Sequence, residues 1–95
     1  MLNGLGDPEV IETTRMGLET EFGITARFHG ADMTRPGEIA ALVESTACSF
    51  GAVDILVNTA GIQHTAPVEA FPPESWAAII AVNLSSSFYL VASAR

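Results

Sequence analysis

Residues 53–58, Val53-Asp54-Ile55-Leu56-Val57-Asn58, constrain the fold more than any other segment of the chain. Val53, Ile55, Leu56 and Val57 do not alternate with polar residues, so a strand made of them carries apolar side chains on both faces. Such a strand belongs in a parallel sheet that is covered on both sides, and parallel neighbours require crossover connections.

The flanking sequence supplies crossover helices. Asp7 reads as an N-cap with Pro8 at the first helical position, and Gly23 stops the helix after Phe22. Val10, Ile11, Thr14, Met16 and Leu18 are its candidates for a packed face. Residues 25–29 read as a short strand closed by Gly30. Thr34 reads as a second cap ahead of Pro36, with Ile39, Leu42, Val43, Thr46, Ala47 and Phe50 at helical spacing and Gly51 as the stop. Residues 73–95 read as one helix with Trp76, Ile79, Ile80, Leu84 and Val91 along one stripe. The order is strand end, helix, strand, helix, strand, helix. It predicts an α/β fold with a partial doubly wound parallel sheet and right-handed crossovers.

Charge narrows the function. With 4 Lys+Arg against 11 Asp+Glu, the net charge is -7, which disfavours nucleic-acid binding. A hydrophobic share of 48% excludes a disordered acidic tail. All the positive residues are arginines, so no Lys-dependent site exists within the sequence. The lone Cys48 forms no internal disulfide, and its surroundings of small helical residues predict inert packing. The longest apolar run, residues 76–82, stops at Asn83 and predicts no membrane span. A cytoplasmic setting is the resulting expectation.

Ligands of open parallel sheets sit beyond the carboxyl ends of the strands. Three loops qualify: Asn3-Gly4-Leu5-Gly6, Gly30-Ala31-Asp32-Met33, and Asn58-Thr59-Ala60-Gly61-Ile62-Gln63-His64. In the third, a polar Asn closes an apolar strand and small residues come next, so a flat ligand has room to approach the backbone; an ordinary small-residue turn fits the pattern equally. Asn83 falls on the apolar stripe, where its amide must find partners. It either bonds a neighbouring loop or lines a wet site. Asp32 caps a turn or touches a ligand. His29 and His64 have no companion at ligand spacing, so no metal site is expected. Gly4-Leu5-Gly6 is not a nucleotide fingerprint, because Glu9 stands where the third glycine would be.

The order Gly30-Ala31-Asp32-Met33, then Asp54-Ile55-Leu56-Val57-Asn58-Thr59-Ala60-Gly61, then Ala81-Val82-Asn83-Leu84 with Phe88 beyond, resembles the central segment of the short-chain dehydrogenase/reductase family. Residues 3–8, 71–76 and especially 61–69 resemble its D-3-hydroxybutyrate dehydrogenase subgroup. The resemblance implies a Rossmann-like fold and an NAD-linked exchange of a 3-hydroxy acid for its 3-oxo acid, usually in a homotetramer. It implies that Asp32 bonds the adenine with Met33 beside it, and that Asn58, Ala60 and Gly61 line the adenosine ribose. Asn83 would be the catalytic asparagine that bends its helix and holds a water, and Gln63 would bond the substrate carboxylate. Gly4 and Leu5 fall where the family selects between NAD and NADP; no Arg or Lys stands there, which favours NAD.

The sequence departs from the family at Thr59, where a second Asn is usual; a hydroxyl cannot reproduce an amide's bonds. Tyr89 has Ser93, not Lys, four residues on. The resemblance places the family's first strand and glycine-rich turn before residue 1, and its catalytic Ser, Tyr and Lys after residue 95. Residues 1–95 are thus expected to be an internal piece of an NAD-binding domain, inactive alone. Two other readings stand beside it: a non-catalytic piece that binds full-length subunits, and an unrelated acidic α/β binding module.

Overall fold

The computed structural model describes residues 1–94; Arg95, the expected helix end, lies outside the described residues. Contacts divide the chain into two units, Met1–Ala31 and a second that starts at Asp32.

In the first unit, helix α1 spans Pro8–Phe22. Its ends are set by local chemistry. The Asp7 carboxylate accepts the Glu9 N–H at 2.8 Å, and Gly23 adopts φ 62°, a left-handed turn that suits glycine. Leu2 and Phe28 form a parallel bridge, with the Leu2 N–H donating to the Arg27 carbonyl (2.7 Å) and the His29 N–H to the Leu2 carbonyl (2.9 Å). The Asn3 amide donates to the carbonyls of His29 and Ala31, each at 2.9 Å. Arg15 ties α1 to the returning chain: it pairs with Glu12 and Glu19 and donates to the Ala26 carbonyl at 3.0 Å. Ala26 and Ala31 are buried, whereas no residue of α1 is. Of the expected apolar face of α1, Ile11 and Leu18 are half-buried, whereas Val10, Thr14 and Met16 stand exposed.

In the second unit, helix α2 spans Pro36–Phe50 and ends at Gly51. Its N-cap is Arg35 rather than Thr34. Pro36 takes the first helical position and so puts the cap at residue 35, while Thr34 folds onto Asp32, whose Oδ1 accepts the Thr34 N–H (2.9 Å) and the hydroxyl (2.7 Å). Glu38, in the first turn, accepts the Asp32 N–H at 3.1 Å. Cys48 is exposed, not packed.

A 3₁₀ turn at Val68–Ala70 leads to helix α3, Pro73–Ile80. A π turn, Ala81–Ser85, continues it into helix α4, Ser86–Ala94. The expected single helix is thus present, with a wider turn in its middle. That turn displaces the apolar stripe, because each extra residue rotates the downstream part of the helix by about 100°. Trp76, Leu84 and Val91 are exposed, and the buried positions are Ser86 and Leu90. They belong to the helix that packs against α2, whose buried residues are Ile39, Leu42 and Val43. The Ser86 hydroxyl donates back to the Val82 carbonyl at 2.6 Å, so its burial leaves no polar atom unpaired. Pro73–Ala94 is also long and apolar enough to cross a membrane, contrary to the sequence expectation, since neither Asn83 nor the serines interrupt the helix.

The expected sheet is represented among the described residues by the Leu2–Phe28 bridge alone. Residues 53–58 carry no ladder there, and Ile55 and Val57 are 84% and 75% exposed. Burial on both faces, expected from the sequence, needs strands alongside, and among the described residues no strand pairs with this segment; α4 alone lies beside it.

Candidate functional site

The loop after residue 58 is tied to the 73–94 helix at two places. Asn83 meets Ile62 with both ends of its amide: Oδ1 accepts the Ile62 N–H and Nδ2 donates to the Ile62 carbonyl, each at 2.8 Å. The Asn58 amide donates to the Ser87 hydroxyl. The tethers are four residues apart on the loop and on the helix, so Thr59, Ala60 and Gly61 are held between them and face solvent. Of the two expectations for Asn83, the structure shows the loop contact, and the side chain is exposed rather than buried. A Cβ at Gly61 would stand 3.5 Å from Asn83 Oδ1, an ordinary contact, so the helix does not demand glycine there.

Past Ile62, the Gln63 side chain is exposed and makes no hydrogen bond among the described residues. His64 packs edge-to-face on Phe71 (ring centroids 5.2 Å, 80°), and Phe71 in turn on Trp76 (6.4 Å, 84°). Asp32 and Met33 come directly after Ala31 and are half-buried. The Thr34 N–H and hydroxyl hold the Asp32 carboxyl below its ordinary range, with Arg35 adding a weaker pull. Oδ1 is used by Thr34, whereas Oδ2 has only Arg35 near it, at 3.8 Å. Gly4 and Leu5 are exposed in the first unit. No cluster of metal ligands occurs among the described residues. A cleft of about 220 Å³, lined by Val53, Asp54, Leu56, Val91 and Ala94, includes none of the predicted site residues.

Sequence reasoning missed Ser87 and Ile62. Ile62 acts through its backbone and leaves no signal in its side chain. The run Ser85-Ser86-Ser87 inside an apolar helix was the available clue to Ser87.

Residues 7–95 match the family model described as short chain dehydrogenase. The chain belongs to the short-chain dehydrogenase family. The match excludes an unrelated acidic module. Among curated relatives of this short-chain dehydrogenase chain, D-beta-hydroxybutyrate dehydrogenase of Rhizobium meliloti (strain 1021) is 47% identical over 94 residues, covering 99% of this chain and 36% of that protein. The enzyme of the same name from Cupriavidus necator is 46% identical over 91 residues, covering 94% of this chain and 34% of that protein. The chain thus spans about a third of the length of these relatives. Among solved structures, a short chain dehydrogenase from Burkholderia cenocepacia J2315 in complex with NADP superposes with a TM-score of 0.90 at 26% identity, over 97% of this chain and 37% of that one. A Serratia marcescens short-chain dehydrogenase/reductase F98L/F202L mutant gives 0.91 at 24% identity, over 97% and 37%, and bears on the fold alone. The backbone is therefore that of Rossmann-like short-chain dehydrogenases.

Proposed function

We propose that these residues are the central part of an NAD-dependent dehydrogenase that interconverts (R)-3-hydroxybutyrate and acetoacetate. One observation carries this: identity of 46–47% to two D-beta-hydroxybutyrate dehydrogenases along 94–99% of the chain, against 34% over 67% of the chain for D-threitol dehydrogenase.

The local chemistry is compatible with the cofactor. Asp32 keeps Oδ2 for an adenine amino group, with Met33 alongside, while Oδ1 is held by Thr34. Asn58, Ala60 and Gly61 offer an exposed, tethered edge to the ribose. Gly4 and Leu5 have no cation within residues 1–14 to pair a 2′-phosphate, which supports NAD over NADP. NAD, when bound, supplies the hydride acceptor. Gln63, with its amide uncommitted, takes the substrate carboxylate. Asn83 spends its side chain on Ile62, so its part in a proton relay falls to its main chain in the π turn, where a water is held.

The doubly wound sheet is completed by strands outside these residues, which also cover 53–58. Tyr89 has no lysine partner and the sequence holds no lysine, so residues 1–95 alone turn over no substrate. We place the protein in the cytoplasm as a homotetramer with small-molecule substrates and neither nucleic acid nor membrane as partner. The buried Ser86 and Leu90 support a protein-packed helix over a lipid-facing one. The exposed Trp76, Leu84, Phe88 and Val91 favour, as a second reading, a piece that docks on full-length subunits.

The test is a graft. The matching segment of the Cupriavidus necator enzyme is replaced by this chain, and NAD- and NADP-linked oxidation of (R)-3-hydroxybutyrate, D-threitol and a 3-hydroxysteroid is compared. Preference for NAD and 3-hydroxybutyrate is expected; preference for another pair overturns the assignment. Failure of the isolated 95-residue chain to oxidise the substrate, together with its retention by full-length subunits, supports the second reading.

A further inference from the structure

We infer that His64 is a positioning residue that sets the substrate-facing loop through an aromatic stack, with Phe71 and Trp76 as its footing. This rests on the assignment of Gln63 to the substrate carboxylate.

Consecutive residues in this loop are put to different uses. Ile62 is bound through its backbone to Asn83, His64 lies against Phe71, and the Gln63 side chain between them has no hydrogen-bond partner among the described residues. The loop is thus fixed on both sides of Gln63 by contacts that leave Gln63 itself unengaged. The two anchors differ in kind. Asn83 supplies a polar clamp of fixed length. The stack supplies an apolar edge-to-face contact, in which the positive rim of one ring meets the negative face of the next.

The footing is on the helix. Trp76 lies in α3, Pro73–Ile80, and Phe71 precedes that helix at the end of the 3₁₀ turn. His64 therefore connects the loop to the start of the same helical rod that Asn83 connects at its π turn. Two attachment points on one rod hold the intervening chain better than one, because rotation about the Asn83–Ile62 clamp is blocked by the stack. Nothing in this role needs imidazole to titrate or to bond a ligand. A phenyl ring at position 64 keeps the edge-to-face contact; a methyl group does not.

The test uses His64→Ala and His64→Phe, in the grafted dehydrogenase and in the 95-residue chain. In the graft, H64A is expected to raise KM for 3-hydroxybutyrate roughly three- to tenfold, with kcat and KM for NAD within about twofold, and H64F to restore it. Unchanged KM in H64A, an equal shift in KM for NAD, or failure of H64F to rescue overturns the role of His64. An unsubstituted graft that does not use 3-hydroxybutyrate instead overturns the functional assignment on which it rests. The loop contact is then read separately in the 95-residue chain, by hydrogen exchange of residues 61–66. Exchange that quickens in H64A and returns in H64F supports the stack; exchange that is unprotected in the parent chain or unmoved by H64A overturns it.

Discussion

Asn83 and Ile62 form a closed pair: one side-chain amide satisfies the N–H and the carbonyl of a single loop residue, each at 2.8 Å. No other side chain can make this pairing at that reach except one with both a donor and an acceptor on a short stem. Asn83→Ala removes both bonds and is expected to lower stability by about 1 kcal/mol, the scale of exposed neutral hydrogen bonds, and to expose the Ile62 amide to exchange. Asn83→Asp keeps the acceptor but sets a carboxylate against the Ile62 carbonyl. Urea titration should show it no more stable than the alanine variant, while the Ile62 amide stays protected.

Arg15 makes the densest polar contact of the first unit, reaching Glu12, Glu19 and the Ala26 carbonyl from one guanidinium. A lysine offers a single compact charge and cannot span all of these. Arg15→Lys is expected to lower the melting midpoint, and Arg15→Ala to lower it further. Thermal melts at low and high salt provide the check. The difference between parent and variants should shrink as salt screens the exposed pairs. A midpoint unmoved by either substitution would sink the claim.

The acid response stems from carboxylates held below their ordinary values. Glu19 is lowered chiefly by the Ala26 N–H and then by Arg15 and Arg27, Glu12 by Arg15, and Asp32 by Thr34. A carboxylate whose folded pKa lies below its unfolded one binds fewer protons when folded, so its contribution is full above the unfolded value and fades as pH falls through the folded one. The ordinary values, taken for the unfolded chain, are 4.5 for a glutamate and 3.8 for an aspartate. Stability should therefore be flat in these terms above about pH 5 and decline below it. Circular-dichroism melts from pH 7 to pH 2 measure this, and Glu19→Gln should flatten part of the decline.

Ser86 has no exposed surface and sits in the helix that packs on α2. Its small size is expected to set how close the helices come. Ser86→Ala keeps the volume and is expected to fall within about 1 kcal/mol of the parent, whereas Ser86→Leu overfills the contact and should cost about 1–3 kcal/mol. Denaturant midpoints of the two variants decide it; equal midpoints would mean that Ser86 does not set the spacing.

The features legible in the sequence were local ones. Asp7, Pro8 and Gly23 bound α1 because capping is settled within a few residues of the helix end. Gly51 ended α2 for the same reason. Thr34 falls one residue short of the cap, because Pro36 opens the helix and Thr34 is folded onto Asp32. The strand at 53–58 could not be tested by its own pattern, since apolarity marks a wish for neighbours and not their presence. The contact of Asn83 with a loop was among the expectations, but its partner was not, since Ile62 contributes only backbone. An irregular helix at Asn83 is what the family resemblance implies, but a 3.6-residue period does not show it as a π turn, and the stripe from Trp76 to Val91 leaves the buried face.

The π turn at Ala81–Ser85 also bears on insertions and deletions. A helix with one residue more than its regular pitch requires can lose a residue there and remain hydrogen-bonded as an α-helix. Loss of a single codon from this stretch would leave the helix intact and keep Ser86 and Leu90 turned toward α2, because the wider turn absorbs the extra residue and its removal restores the regular pitch without re-aiming the helix beyond it. A one-residue difference in length among related genes would thus be silent both in helix content and in the face presented to α2, so a single-residue alignment gap placed within 81–85 marks a regularised turn rather than a re-aimed helix.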